Sequence, residues 1–342
     1  MMRNYILFIL LLLTHIYSSA NVRVLSIGIS EYPESSGWNK LNAHNDVELM
    51  RSIFPDAIFV EDGSATRSGI EAQLKALAIN AAKGDTVIVH FSGHGQQIIT
   101  KNSAHEVDGV DEAIVPFDAL KRKTKSYKGQ NHLTDDVFGK AIDNIRKSVG
   151  PSGLVIALID ACHSDSMDKS TNRTGNTHRG TNEIFGSESM CNAEISVLRD
   201  AYHKQEATAL SESATLSNVV YLSACRSDQR NYEVLVKGKG YGSLTFYFCE
   251  EYKKVGISDP SALLTAIYSG MVNNPTLKFH GQIPAIRNTI GWEAPSKVVQ
   301  SRPNQAVVPD DTDRSASKTV ILSIIAASLI LISIALWITR KK

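Results

Sequence analysis

Residues 87–97 read VIVHFSGHGQQ, and residues 155–166 read VIALIDACHSDS. Each is a run of β-branched and apolar residues that breaks into a polar turn. A short apolar run bounded by turn residues predicts a strand buried on both faces of a parallel sheet. The first turn carries His94 between Gly93 and Gly95, and the second carries Cys162 directly after Asp160 and Ala161. Open α/β sheets place their reactive groups just past the carboxyl ends of the strands. If these two strands are neighbours, His94 and Cys162 face one crevice. A thiol with an ordinary pKa of about 8.5 needs a nearby imidazole to act as a nucleophile at neutral pH. Glycine beside His94 lets the chain bend and bring an amide, that of Gly95, close to a reacting carbonyl oxygen. The amide of Cys162 would complete an oxyanion hole. The alternative on these residues alone is a buried cysteine and a turn histidine that never meet.

Outward from these strands the pattern alternates. Residues 22–30 (VRVLSIGIS) predict a first strand, and residues 45–54 a helix with Val47, Met50 and Ile53 on one face. Residues 57–60 form a short strand. Ser68 is placed to cap a helix over residues 69–82, with Glu71 at the capping-box position. A short apolar run at 113–116, a helix at 135–147, a buried strand at 218–223 and a helix at 243–252 follow. Strands alternating with helices predict an α/β fold with a mainly parallel central sheet and helices on both faces. No internal repeat is visible, and residues 21–294 read as one domain.

The chain has 342 residues with 36 basic and 35 acidic side chains, and no long basic block in its interior. That balance argues against a nucleic-acid partner. Residues 1–20 combine Arg3, an apolar core at 5–13 and Ser18-Ser19-Ala20, the pattern of a cleaved signal peptide. The alternative of an uncleaved anchor meets an apolar core too short to span a bilayer comfortably. Residues 295–318 are rich in Pro, Ser, Asp and Gln and read as a flexible juxtamembrane stalk. Residues 319–339 carry no charge and precede Arg340-Lys341-Lys342, as expected of a single transmembrane helix with a basic cytoplasmic tail at 340–342. These ends predict a single-pass membrane protein whose domain lies outside the cytoplasm. Beside Cys162 stand Cys191, Cys225 and Cys249, an odd remainder that does not make a disulfide scaffold. Cys225 and Cys249 sit among apolar residues and read as small core side chains. His90 stands four residues before His94, but a third well-placed ligand for a zinc ion is missing.

SGHG followed by DACHS resembles the caspase/metacaspase class of cysteine peptidases, nearer to metacaspases and bacterial caspase-like proteins than to animal caspases. The resemblance continues through Leu41-Asn42-Ala43-His44-Asn45-Asp46 and Asp108-Gly109-Val110-Asp111-Glu112. It takes in Leu133-Thr134-Asp135-Asp136, the Leu222-Ser223-Ala224-Cys225 segment with Asp228, Gln229 and Glu233, and Tyr241-Gly242-Ser243. It implies a caspase-like three-layer α/β sandwich, His94 as general base and Cys162 as nucleophile. It implies Asp46 and Asp228 as acids of the S1 pocket, and peptide or protein substrates cut after Arg or Lys, since buried carboxylates favour a cationic partner. The bland reading of Asp46 is an acid in the first turn of a helix, serving its dipole. The family also implies a calcium site on Asp111, Asp135 and Asp136, hard oxygen ligands that suit Ca²⁺. Its fourth ligand would fall near Asp168 and Lys169. The chemistry itself requires no cofactor.

One departure is Asp165, where the family has glycine after the CHS run. A charge there would narrow the site or raise the thiol pKa. Residues 166–217 form a long polar stretch carrying Lys169, Arg173, Arg179, Arg199 and Lys204, where an enzyme specific for basic residues would be expected to cut itself. Asn172-Arg173-Thr174 is a glycosylation sequon. The competing functional reading is a caspase-fold protein that binds peptides or a partner without turnover. A transamidase fits the predicted topology but matches the local motifs less well.

Overall fold

A computed structural model describes residues 21–99, 110–162, 178–191, 193–195, 210, 213–227 and 229–295. All belong to the compact unit that ends at Val299; a second unit, Gln300–Lys342, lies outside the described residues. The expected signal segment 1–20, the stalk beyond Pro295, and the segment 319–342 also lie outside them. No described helix is long and apolar enough to cross a membrane.

Strands β1 (Val22–Gly28), β2 (Ile58–Glu61), β3 (Thr86–Ser92), β7 (Leu154–Asp160), β8 (Asn218–Ser223) and β11 (Ala285–Asn288) form the central sheet in the order β11-β8-β7-β3-β1-β2. All neighbours are parallel except β11 against β8. The two strands that open the sequence reading are therefore neighbours, paired from Thr86↔Leu154 to Ser92↔Asp160. Side chains alternate between faces along a strand. Val87, Val89, Phe91, Val155, Ala157 and Ile159 enter one core cluster, while Ile88, Ile156 and Leu158 enter the other. Helices α2 (Arg67–Asn80) and α3 (Asp135–Val149) contribute Ile70, Leu74, Ile142 and Ile145 to the first cluster. Helices α1 (Ala43–Ile53), α4 (Ser243–Val255) and α5 (Pro260–Asn273) contribute Met50, Phe248 and Ile267 to the second, joined by Leu277 of α6 (Pro275–Phe279). The result is the expected three-layer arrangement with both sheet faces covered.

Local details differ from the sequence reading. The cap of α2 is Thr66, whose side chain accepts from the Gly69 amide at 3.1 Å, not Ser68. Glu71 pairs with Arg67 at 3.0 Å, one helical turn back, in place of a capping box. The GHGQQ segment is not simply a turn. Gly95–Ile99 forms β4, which pairs antiparallel with β5 (Val110–Ile114), and β5 in turn pairs with β6 (Leu133–Thr134). A hairpin of β9 (Glu233–Val236) and β10 (Lys239–Gly242) also went unforeseen. Lys237 and Gly238, at φ 51° and 79°, make the two-residue turn that suits a hairpin twist.

Candidate active site

The register of β3 and β7 fixes the site. His94 and Cys162 each stand two residues past the last paired position, Ser92↔Asp160, on adjacent parallel strands. His94 is buried beneath Trp38, whose ring stacks on it at 4.8 Å and 26°, with Tyr32 at 5.1 Å. The Tyr32 hydroxyl accepts from the His94 amide at 3.1 Å and donates to the Val115 carbonyl at 2.9 Å, so it pins the turn where β4 begins. Gly95 opens β4 opposite Ile114. The imidazole Nε2 lies 2.9 Å from the Asn39 carbonyl, which can only accept, so Nε2 carries the proton. Nδ1 is buried with no hydrogen-bond partner among the described residues. It is the free base nitrogen. Burial pushes the His94 pKa down to about 3, so the ring stays neutral in ordinary conditions.

Cys162 is 3% exposed and points its thiol at the Gln229 carbonyl, 2.9 Å away. Its amide donates to the Arg179 carbonyl at 2.7 Å. That amide is the sequence-expected oxyanion donor, and here it holds a carbonyl of the same chain.

The Arg179 side chain continues from that carbonyl into a fully buried pocket. Its Nη1 lies 2.7 Å from Asp46 Oδ2, 2.5 Å from Ser92 Oγ and 3.9 Å from Asp160 Oδ1, while Nη2 lies 3.0 Å from Glu233 Oε1. Three carboxylates from chain positions far apart thus surround one guanidinium. Each is held from elsewhere. Asp46 accepts from Ser92 Oγ at 2.7 Å and the Gly242 amide at 2.9 Å. Asp160 accepts from Asn231 Nδ2 at 2.7 Å and from Thr245 through its amide and hydroxyl at 2.7 and 2.8 Å. Glu233 accepts from Asn42 through its amide at 3.2 Å and its side chain at 2.5 Å. A fork-shaped cation that meets acceptors on two nitrogens is the arginine pattern; one ammonium cannot span both. Burial pushes the Asp46 carboxyl up to about 6, opposed by the Arg179 charge.

Backbone contacts seat the same segment. The Arg179 amide donates to the Asn231 carbonyl at 3.1 Å, and His178 bridges antiparallel to Tyr232. Asn231 is itself fixed by Gln282, whose Nε2 donates to Asn231 Oδ1, Ser243 Oγ and the Ala224 carbonyl. Gly180 follows so closely over Cys162 that a Cβ there would stand 2.3 Å from the Cys162 carbonyl oxygen. Gly242 is required too, because a Cβ would stand 2.2 Å from Asp160 Oδ2 and 2.7 Å from Arg179 Nη1.

Other sequence-singled residues fare differently. Asp228 lies outside the described residues, as do Asp165 and Asp168. The three aspartates expected at a calcium site differ in burial. Asp111 is buried within β5, whereas Asp135 and Asp136 are exposed in the first turn of α3, where their charges suit the helix dipole. Among the described residues no group of three His, Cys, Asp or Glu side chains is placed to hold a metal ion. His90 is a core histidine, bonded to Ser26 Oγ at 2.9 Å and Thr245 Oγ1 at 3.0 Å. The sequence reading gave no site role to Asp160, Glu233, Ser92 or Asn39. A usable signal existed for Asp160: an acid closing the apolar run VIALID must be buried, and a buried acid needs partners.

The sequence profile of the family described as Caspase domain matches residues 22–290. The chain belongs to that family. Among curated relatives it is similar to Metacaspase III c of Phaeodactylum tricornutum, 29% identical over 157 residues, 42% of this chain and 43% of the relative. It is similar to Metacaspase-4 of Arabidopsis thaliana, 32% identical over 103 residues, 30% of this chain and 21% of the relative. It is also similar to Metacaspase-1 of Lodderomyces elongisporus, 23% identical over 224 residues, 55% and 46% of the two chains. The matches span less than half the length of each of these relatives. Among solved structures, protein GSU0716 from Geobacter sulfurreducens aligns with a TM-score of 0.52 at 21% identity, covering 83% of this chain and 98% of that one. That likeness bears on the fold alone. Membership of the caspase-domain family supports a cysteine-peptidase reading of the chain.

Proposed function

We propose that the protein is a cysteine endopeptidase that cuts after arginine, and that it cuts its own chain between Arg179 and Gly180. The observation that carries this reading is the seating of Arg179: guanidinium among Asp46, Asp160 and Glu233, carbonyl on the Cys162 amide. A substrate residue before the scissile bond needs those same two contacts, a charged pocket for its side chain and a donor for its carbonyl oxygen. In the reaction, Nδ1 of His94 takes the thiol proton and the Cys162 sulfur attacks the carbonyl carbon. The Cys162 amide, with that of Gly95 as proposed second donor, stabilises the oxyanion. His94 then returns the proton to the leaving amine, and water releases the acyl group. The Asn39 carbonyl keeps the imidazole in the required tautomer.

Until the thiol turns from Gln229 toward His94 and Arg179 leaves the pocket, external peptides have no access, so the seated segment acts as an internal inhibitor. The signal-like segment 1–20 and the apolar segment 319–339 support an anchored protein with this domain outside the cytoplasm. The test is hydrolysis of fluorogenic peptides ending in Arg, Lys or Asp by the full chain, beside Cys162→Ala. Cleavage after Arg that is lost in the variant supports the reading. Cleavage after Asp, or none after the Arg179–Gly180 bond has been opened, overturns it.

A further inference from the structure

Cys225 is a buried thiol that the proposed chemistry does not use, yet it shares a partner with the nucleophile. The Cys162 and Cys225 sulfurs lie 2.9 and 3.4 Å from one oxygen, the Gln229 carbonyl. That carbonyl does not drift, because the Gln229 side chain is tied to the Gly281 carbonyl at 2.7 Å, the Ile283 amide at 3.0 Å and the Arg226 amide at 3.3 Å. The backbone agrees. Strands β7 and β8 pair through Ile159↔Ser223, and the Ala224 amide still donates to the Ile159 carbonyl at 3.1 Å, so Cys225 comes opposite the Ala161–Cys162 turn. Neighbouring strands lie about 4.8 Å apart, within the Cα separation of about 4.4–6.8 Å that a disulfide spans. The neighbouring Cys162 thiol, together with burial, holds the Cys225 pKa well above the ordinary thiol value. The other cysteines are no rivals. Cys249 is buried in the second core against Met50 at 3.6 Å, and Cys191 is exposed.

We infer that Cys162 and Cys225 form a reversible disulfide under hydroperoxide, which stores the nucleophile in an inactive, protected form. The thiol position that leaves His94 Nδ1 without a partner is the one that brings Cys162 to Cys225. The steps balance. The Cys162 sulfur attacks one peroxide oxygen, giving a sulfenic acid and one water. The Cys225 sulfur then attacks the sulfenic sulfur, and the hydroxyl leaves with the Cys225 proton as a second water. Two thiols and one hydrogen peroxide become one disulfide and two waters. With Cys225 absent, the sulfenic acid has no resolving thiol and goes on to sulfinic acid, which dithiothreitol does not reverse.

The inference concerns thiol placement and needs no turnover, so it stands or falls apart from the peptidase reading. The experiment treats the reduced full chain with hydrogen peroxide and maps its cysteines by mass spectrometry, before and after dithiothreitol. The expected result is a cross-linked pair of peptides holding Cys162 and Cys225, with both thiols recovered on reduction. In Cys225→Ala and Cys225→Ser, Cys162 should end as sulfinic acid and stay so; using both variants separates this outcome from misfolding of either. Sulfinic acid at Cys162 in the unaltered chain, or a bond from Cys162 to Cys191, would overturn the inference.

Discussion

At the scale of single residues, the arginine specificity we propose would follow from how charge is shared around one guanidinium. Asp46 sits at about 6 even with Arg179 beside it to favour the charged form. Emptying the pocket removes that influence but also admits water, which relieves the burial that raises the carboxyl, so the two changes oppose each other. Arginine binds the ionised form, which is present above the pKa and lost as pH falls through it. The KM for arginine peptides should therefore rise on the acid side of about pH 6. His94, held near 3 by burial, remains an unprotonated base over that range, so kcat should change less. Rate profiles of the opened enzyme and of Asp46→Asn check this: the acid limb in KM should be absent in the variant, and a flat KM in the unaltered enzyme would count against the assignment. Glu233 meets the second guanidinium nitrogen at 3.0 Å. Glu233→Gln should lower kcat/KM for arginine peptides by roughly tenfold or more, the scale of one charge-assisted bond, and affect lysine peptides less. Paired kinetics on the two peptides would measure that difference.

At the scale of elements, two strand ends and one strap make the site. That His94 and Cys162 stand at the ends of neighbouring strands was legible, because two apolar runs of matching length end in turns and parallel neighbours keep register. The strap was not. Arg179 stood in the sequence as one of several bases in a polar stretch, and its burial depends on carboxylates at 46, 160 and 233 that only the tertiary fold assembles. Downstream, the Phe185 amide donates to the Gln97 carbonyl at 2.8 Å and the Ile99 amide donates to the Phe185 carbonyl at 2.9 Å, laying the chain along β4. The Phe185 ring packs edge-on to Tyr127 at 5.6 Å and lies 4.8 Å from His132. Glu183 adds a two-pronged pair with Arg122 at 2.6 and 2.9 Å. Phe185→Ala removes a buried ring worth about 3–5 kcal/mol, so the strap should release more often. On a Cys162→Ala background, a labelled arginine peptide should then bind roughly tenfold tighter or better, as the competent fraction grows. Fluorescence anisotropy is the measurement, and unchanged affinity would show that the strap does not gate the pocket.

At the scale of the whole molecule, the two-faced sheet sets how rigidly the crevice is held. Leu158 lies in β7 at the middle of the sheet with no exposed surface. Leu158→Ala should cost about 2–5 kcal/mol, seen as a lower denaturant midpoint with the slope unchanged. The layer order was legible because strands buried on both faces read as unbroken apolar runs. The small strands β4, β9, β10 and β11 were not, being short and held by pairing more than by composition. The surroundings of the three aspartates were not legible either: Asp111 and the Asp135–Asp136 pair belong to neighbouring elements, but Asp111 is buried and the others are exposed. The account rests on Arg179 being seated as a substrate, and the measurement that tests it most directly is N-terminal sequencing and intact mass of the full chain after incubation, beside Cys162→Ala. A new N-terminus at Gly180 in the unaltered chain and none in the variant is the predicted result. A cut elsewhere, or the same cut in both, would contradict it.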